Sequence, residues 1–301
     1  MKLTVLGSSC MFPTSKRSQP AFLLFHEGQY LLFDAGEGVQ RQLRFAGISP
    51  MNVDHLFITH WHGDHTLGVA GMIQCMTGNR RDKPFHIHGP IGTTERVNHL
   101  VEAFDFKQSF SIKVHEVRLG KDLVKTILEE GDLTVTAMRL IHGSANLAYC
   151  VQEVDKRRIN LEYTKKFGLT QHPLLGKLQR GEDIVYEGKK ITVKKGTILV
   201  PGRKFCYVTD TGYFPKLVDF VEGADLLLCE STYTSDMEVE ARERRHLTAE
   251  QAAMLARDGG VKQLVLTHFS QRYPSSRPFK EEARKHFKNA ATAKDFAEYE
   301  F

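Results

Sequence analysis

Thr59-His60-Trp61-His62-Gly63-Asp64-His65 places three imidazoles and a carboxylate within six residues. Imidazole nitrogens and carboxylate oxygens suit borderline-soft divalent ions, zinc above all. The run begins where a short apolar strand, His55–Ile58, is expected to end. Alternate residues of an extended segment point the same way, so His60 and His62 are set to chelate one ion. A tight turn at Gly63 carries Asp64 and His65 round to a second ion, while Thr59 and Trp61 face packing. One histidine in a loop is ordinarily a solvated side chain. Four donors in this order at a strand end call for a metal.

Four ligands cannot fill two metal shells, so more donors are expected downstream. Three candidates stand at the ends of expected strands: His142 after Ala137–Ile141, Asp210 after Tyr207–Thr209, and His268 after Val265–Thr267. Further out, Leu3–Leu6, Ala21–His26, Tyr30–Phe33, Phe85–His88, Leu133–Leu140, Leu147–Glu153, Lys204–Thr209, Leu226–Cys229 and Gln263–Thr267 read as strands, with a hairpin turn at Gly28-Gln29. Val39–Ala46, Leu67–Met76, Thr93–Phe104, Thr248–Arg257 and Phe279–Phe287 read as helices, and the tail after Asn289 as loosely held. Strand runs with helices between them argue for a layered α/β sandwich of two sheets with helices outside. Loops at the strand ends then gather the polar residues into one cleft.

Composition narrows the class. Of 301 residues, 41% are apolar and 26% charged, which suits a globular chain with a large core. No apolar run is long enough for a bilayer span, and the start at Lys2-Leu3-Thr4-Val5-Leu6-Gly7 reads as a strand, not a secretory signal. Cys10, Cys75, Cys150, Cys206 and Cys229 are scattered and odd in number, as expected of small apolar residues in a reducing cytoplasm. The formal charge is +5, and Asp155–Lys195 holds eleven Lys/Arg against five Asp/Glu. That segment is sparse in apolar residues and is expected to project as a basic arm suited to a polyanion.

The order His-x-His-x-Asp-His, then His, Asp and His, resembles the metallo-β-lactamase superfamily. The resemblance implies an αββα sandwich with two Zn2+ ions per subunit in the cleft. It places His60, His62 and His142 on one ion, Asp64, His65 and His268 on the other, and Asp210 between them.

Other stretches resemble ribonuclease Z along nearly the whole chain. They are Phe33-Asp34-Ala35-Gly36-Glu37-Gly38 with Gln40, the lead-in Pro13-Thr14-Ser15-Lys16-Arg17, Glu230-Ser231-Thr232, His246-Leu247-Thr248-Ala249, and Thr267-His268-Phe269-Ser270 with Arg272-Tyr273. Cys229 and Leu247 stand where that family carries His and Ser. Gly168–Leu178 followed by Gly181-Glu182-Asp183 resembles its tRNA-binding arm, with His172-Pro173 in place of Gly-Pro. The resemblance therefore implies one domain over 1–301 with an inserted arm at about 155–200. It also implies a cytoplasmic homodimer that removes the 3′ trailer from precursor tRNA, leaving a 3′-hydroxyl on the tRNA and a 5′-phosphate on the trailer. Asp64 would accept the nucleophile's proton, His246 would protonate the leaving oxygen and Glu230 would keep His246 charged. Lys16, Arg17, Lys177 and Arg180 would contact the RNA.

Two rivals remain at this level. One is a phosphodiester, thioester, lactam or sulfate-ester hydrolase with the same metal chemistry. The other is a tRNA-binding protein whose metal is only structural.

Overall fold

The fold is that of a computed structural model, which describes residues 1–105, 108–120 and 123–301. Two seven-stranded sheets carry it. The first runs, in order across the sheet, Glu298–Glu300, Lys2–Gly7, Ala21–His26, Gln29–Phe33, Val53–Phe57, Phe85–Pro90 and Ile112–Val117. The second runs Ala290–Thr292, Gln263–Thr267, Leu226–Glu230, Lys204–Val208, Leu147–Glu153, Leu133–Arg139 and Val124–Glu130. Leu226–Glu230 is buried along its whole length, as a parallel strand covered on both faces should be.

The layers follow from where apolar side chains fall. Helices Val39–Phe45 and Val69–Gly78 press Val39, Leu43, Val69, Met72, Ile73 and Met76 onto the outer face of the first sheet, against Leu6, Leu23, Leu32, Leu56 and Ile87. Between the sheets lies an aromatic layer. Phe33 meets Tyr149 and Phe205 with ring centroids 6.0 and 5.6 Å apart, and Phe22 meets Tyr207 at 5.1 Å. Helices Lys216–Val221, Ala249–Asp258 and Arg277–His286 bury Leu217, Leu255 and Phe279, with Ala249–Asp258 against Leu226–Glu230 and Gln263–Thr267. The expected helix–sheet–sheet–helix sandwich is present. Among the described residues no helix is long and apolar enough to cross a membrane.

By its internal packing the chain divides into two compact units. One comprises 1–128, 135–151 and 204–301; the other comprises 129–134 and 152–203. The second unit contains the basic segment, and its apolar residues are not idle. Leu169, Leu178, Ile184 and Ile191 form a small core of their own, flanked by Ile159, Tyr163, Phe167 and Val193. Strands Lys156–Ile159 and Thr197–Val200 pair antiparallel, as do Ile184–Tyr186 and Lys189–Ile191. Apolar residues that look thin along the sequence suffice once the helices and the two strand pairs fold them onto one another.

Two sequence expectations need correction. The first hairpin turns at Glu27-Gly28, whose φ values of 43° and 88° are the paired positive angles of a tight hairpin turn, rather than at Gly28-Gln29. The tail after Asn289 is fixed, not loose. Ala290–Thr292 extends the second sheet, Glu298–Glu300 pairs with Lys2–Thr4 of the first, and Asp295 accepts from Ser8 Oγ at 2.8 Å and Ser18 N at 2.7 Å.

The first sheet also brings together four histidines that sequence spacing does not single out. Register sets His55 beside His86, and Phe57 and His115 on either side of His88. Rings stack at 4.9 Å for His55–His86, 4.5 Å for Phe57–His88 and 4.6 Å for His88–His115. Nitrogens meet at 3.1 Å for His55 Nδ1 and His88 Nε2, and at 3.0 Å for His86 Nδ1 and His115 Nε2. Burial first, then the neighbouring imidazoles, push His88 down to about 2, and burial followed by His86 and Lys113 lowers His115. The unfolded chain binds a proton at His88 below about pH 6.5, whereas the folded chain does not until far lower pH. Stability therefore falls with pH in that window, by about 1.4 kcal/mol per pH unit for His88 alone. Denaturant midpoints at pH 7.5 and 5.0 should show this loss, and His88→Phe should reduce it. An equally steep loss in the variant would rule out His88 as its source.

Candidate metal centre

The candidate ligands lie in the segments that follow strands. Strand Val53–Phe57 delivers His60 and His62, and the one-turn helix Gly63–Thr66 turns Asp64 and His65 inward, both buried. Strand Lys204–Val208 leads to Asp210, and Gln263–Thr267 to His268, whose backbone is left-handed at φ 62°. His142 lies in the segment between strands Leu133–Arg139 and Leu147–Glu153.

The structure brings all seven together. Donor atoms of His60, His62, His142 and Asp210 lie within 4.8 Å of one another, as do those of Asp64, His65 and His268. Asp210 faces both sets: its Oδ2 is 3.7 Å from His60 Nε2 and 3.9 Å from His142 Nε2, and its Oδ1 is 3.3 Å from His268 Nε2.

Whether the site fits a metal is decided at the far side of each ring. His65 Nδ1 donates to Asp34 Oδ2 at 2.7 Å, and His142 Nδ1 to the Arg245 carbonyl at 3.2 Å. His60 Nδ1 lies 3.1 Å from Thr59 Oγ1, and His268 Nδ1 lies 2.9 Å from Thr232 Oγ1. An oxygen on Nδ1 orients the ring and leaves Nε2 to coordinate. His60 Nε2 is buried with no hydrogen-bond partner, and His65 Nε2 faces His268 Nε2 at 3.3 Å. With Nδ1 protonated on both rings, the two Nε2 lone pairs confront each other across that gap unless a proton or a cation lies between them. A cation is the group that relieves it, and the N/O donor set suits zinc.

Charge balance agrees. Burial alone would lower the His65 pKa, but Asp64, Asp34 and Asp210 outweigh it and raise it to about 10. Burial would raise Asp64 and Asp210, yet His65 and His268 hold both carboxyls below their usual range. The carboxylates thus create a demand for positive charge that one buried imidazole only partly answers.

A second group of side chains adjoins this one. Glu230 is fully buried and accepts from Thr211 N at 2.9 Å, Leu247 N at 3.0 Å and His246 Nδ1 at 3.1 Å through Oε1. Its Oε2 takes Thr232 Oγ1 at 2.8 Å, so that hydroxyl, its single proton given away, can accept from His268. Burial would lower the His246 pKa, but Glu230, Asp210 and Asp64 raise it to about 9. From the two groups, His62, Asp64, His142, Asp210 and His268, with Thr232 and His246, line one cleft of about 590 Å³, together with Cys10, Met11, Phe12, Arg244, Arg245 and Arg272. The Cys10 thiol is pushed up to about 12, by burial first and then by Asp210 and Asp64, so it is no thiolate.

The expected RNA contacts fare differently. Neither Lys16 nor Arg17 is among the residues lining the cleft. Arg17 is half-buried, donating to the Tyr273 carbonyl and lying 5.7 Å over the Phe269 ring. Lys177 and Arg180, on and just after helix Leu174–Gln179, are exposed in the second unit. Sequence reasoning gave no role to Thr232, Arg245 or Asn146, whose Nδ2 holds the Asp210 carbonyl at 2.6 Å. Nor did it foresee Met11, whose N–H donates to Asp64 Oδ2 at 2.8 Å. Arg244 and Arg245, directly before His246, were the available signal.

Known proteins with this pattern agree with one another. A family model for a beta-lactamase superfamily domain matches residues 29–269. Ribonuclease Z of Methanothermobacter thermautotrophicus is 41% identical over 297 residues, covering 98% of this chain and 95% of that one. Ribonuclease Z of Chlamydia abortus is 34% identical, covering 100% of this chain and 96% of its own. Among solved structures, the short form of human tRNase Z superposes with a TM-score of 0.74 at 25% identity, over 100% of this chain and 99% of that one. With its sandwich, its convergent ligands and these full-length relatives, the chain belongs to the ribonuclease Z family of the β-lactamase superfamily.

Proposed function

We propose that this chain is a two-zinc endoribonuclease that cuts the 3′ trailer from precursor tRNA. The observation that carries it is the convergence of seven donors beside the Glu230–His246 pair. His60, His62 and His142 would hold one ion, Asp64, His65 and His268 the other, with Asp210 shared. Bound there, zinc supplies an acidified water and draws charge from the phosphate oxygens.

The chain's own residues supply the rest. Hydrolysis forms a bond from water oxygen to phosphorus and breaks the bond from phosphorus to the 3′ oxygen. Asp64 takes the proton released by the water. His246 has Nδ1 committed to Glu230, so Nε2 is its free edge and gives a proton to the leaving 3′ oxygen. The products are a 3′-hydroxyl on the tRNA and a 5′-phosphate on the trailer. Incubation with one precursor tRNA, with both new ends mapped, tests this directly. A 5′-hydroxyl on the trailer, or no cut at all, would overturn it.

The second unit serves as the tRNA contact, with Lys177 and Arg180 on its exposed side. Phosphate contacts release counterions, so binding should fall steeply with salt. Deleting 155–195 should weaken precursor-tRNA binding and flatten its salt dependence, while hydrolysis of bis-p-nitrophenyl phosphate persists. Unchanged tRNA affinity in the deletion would refute this role. The family resemblance further implies a homodimer, which sedimentation at working concentration tests.

A further inference from the structure

We infer that Arg245 is a positioning residue that holds His142 in place, and through it one of the two metal ions. The inference rests on the two-zinc reading above. Arg245 ends helix Glu238–Arg244 in a left-handed conformation at φ 57°. A side chain is strained there and glycine is not, so an arginine held in it points to a contact that offsets the strain. That contact is double. The left-handed turn presents the Arg245 carbonyl to His142 Nδ1 at 3.2 Å, and Arg245 Nη1 donates to the His142 carbonyl at 2.7 Å.

His142 belongs to no helix or strand. The Ile141 backbone before it is tied at both polar groups, its N–H to Thr211 Oγ1 at 3.1 Å and its carbonyl to Gly212 N at 2.9 Å. Arg245 thus grips both the ring and the backbone of the ligand itself. The adjacent His246 also meets the His142 ring at 5.3 Å, so one helix end sets both the ligand and the proton donor. His142 shares donor geometry with His60, His62 and Asp210 but not with Asp64, His65 and His268. Losing the guanidinium should therefore loosen one ion and spare the other.

Arg245→Gly removes the guanidinium and keeps the left-handed backbone, so the carbonyl contact survives. Zinc per subunit is measured by mass spectrometry after dialysis of the full-length protein against a graded chelator. Wild type should retain two equivalents where R245G retains one, with the weaker ion bound about 10- to 100-fold less tightly. R245K, which can still donate to the carbonyl, should recover part of the difference. If R245G keeps both ions as tightly as wild type, or loses both in step, the inference is wrong. A wild-type protein that never holds two ions instead sinks the two-zinc reading beneath it.

Discussion

Replacing His246 with alanine is expected to lower turnover on precursor tRNA by about 10² to 10⁴, the usual worth of a positioned proton donor. Zinc content should stay at the wild-type level, because the seven proposed ligands are untouched. The ring is poised for this by the Glu230 carboxylate 3.1 Å from Nδ1. With its pKa raised to about 9, His246 is in its acid form at neutral pH. Activity that needs this acid should hold below that value and fall as pH rises through it. Glu230→Gln removes the charge that sustains the acid form, so the alkaline limb should move to lower pH. An H246A enzyme that turns over normally, or a limb that stays in place in E230Q, would remove the pair from the reaction.

Asp34→Ala is expected to cost both stability and metal affinity. Asp34 is fully buried and collects four donors from both sheets: Thr59 N at 2.8 Å, Thr59 Oγ1 at 2.9 Å, Tyr207 OH at 2.9 Å and His65 Nδ1 at 2.7 Å. Each donor left buried without a partner costs about 1–3 kcal/mol. Alanine at φ 56° adds about 1–2 kcal/mol of backbone strain, which Asp34→Asn largely avoids. The loss should therefore reach several kcal/mol for D34A and be smaller for D34N. His65 also loses the acceptor that orients it, so zinc affinity should fall roughly 10- to 100-fold. Denaturant melts of the metal-free protein isolate the first effect, and chelator competition the second. Wild-type stability in metal-free D34A would show that Asp34 does not join the sheets.

The sequence alone determined what local spacing controls. His60 to His65 are neighbours along the chain, so a strand end and a glycine turn suffice to aim them. His142, Asp210 and His268 were legible as candidates because each follows a run read as a strand and the first motif called for further donors. The sandwich followed from the alternation of such runs with amphipathic helices.

Only the tertiary structure decided what depends on distant segments meeting. Thr232 gains its role because Glu230, His246 and His268 arrive around one hydroxyl. Arg245 gains its role because a helix end lies against the His142 segment about a hundred residues earlier in the chain. The histidine stack exists through strand register, and the last twelve residues are fixed by pairing with Gln263–Thr267 in one sheet and with Lys2–Thr4 in the other. Side-chain pattern along a chain reports which face is buried. It does not report which donor will stand within three ångströms of which acceptor, because that is set by how sheets and loops pack.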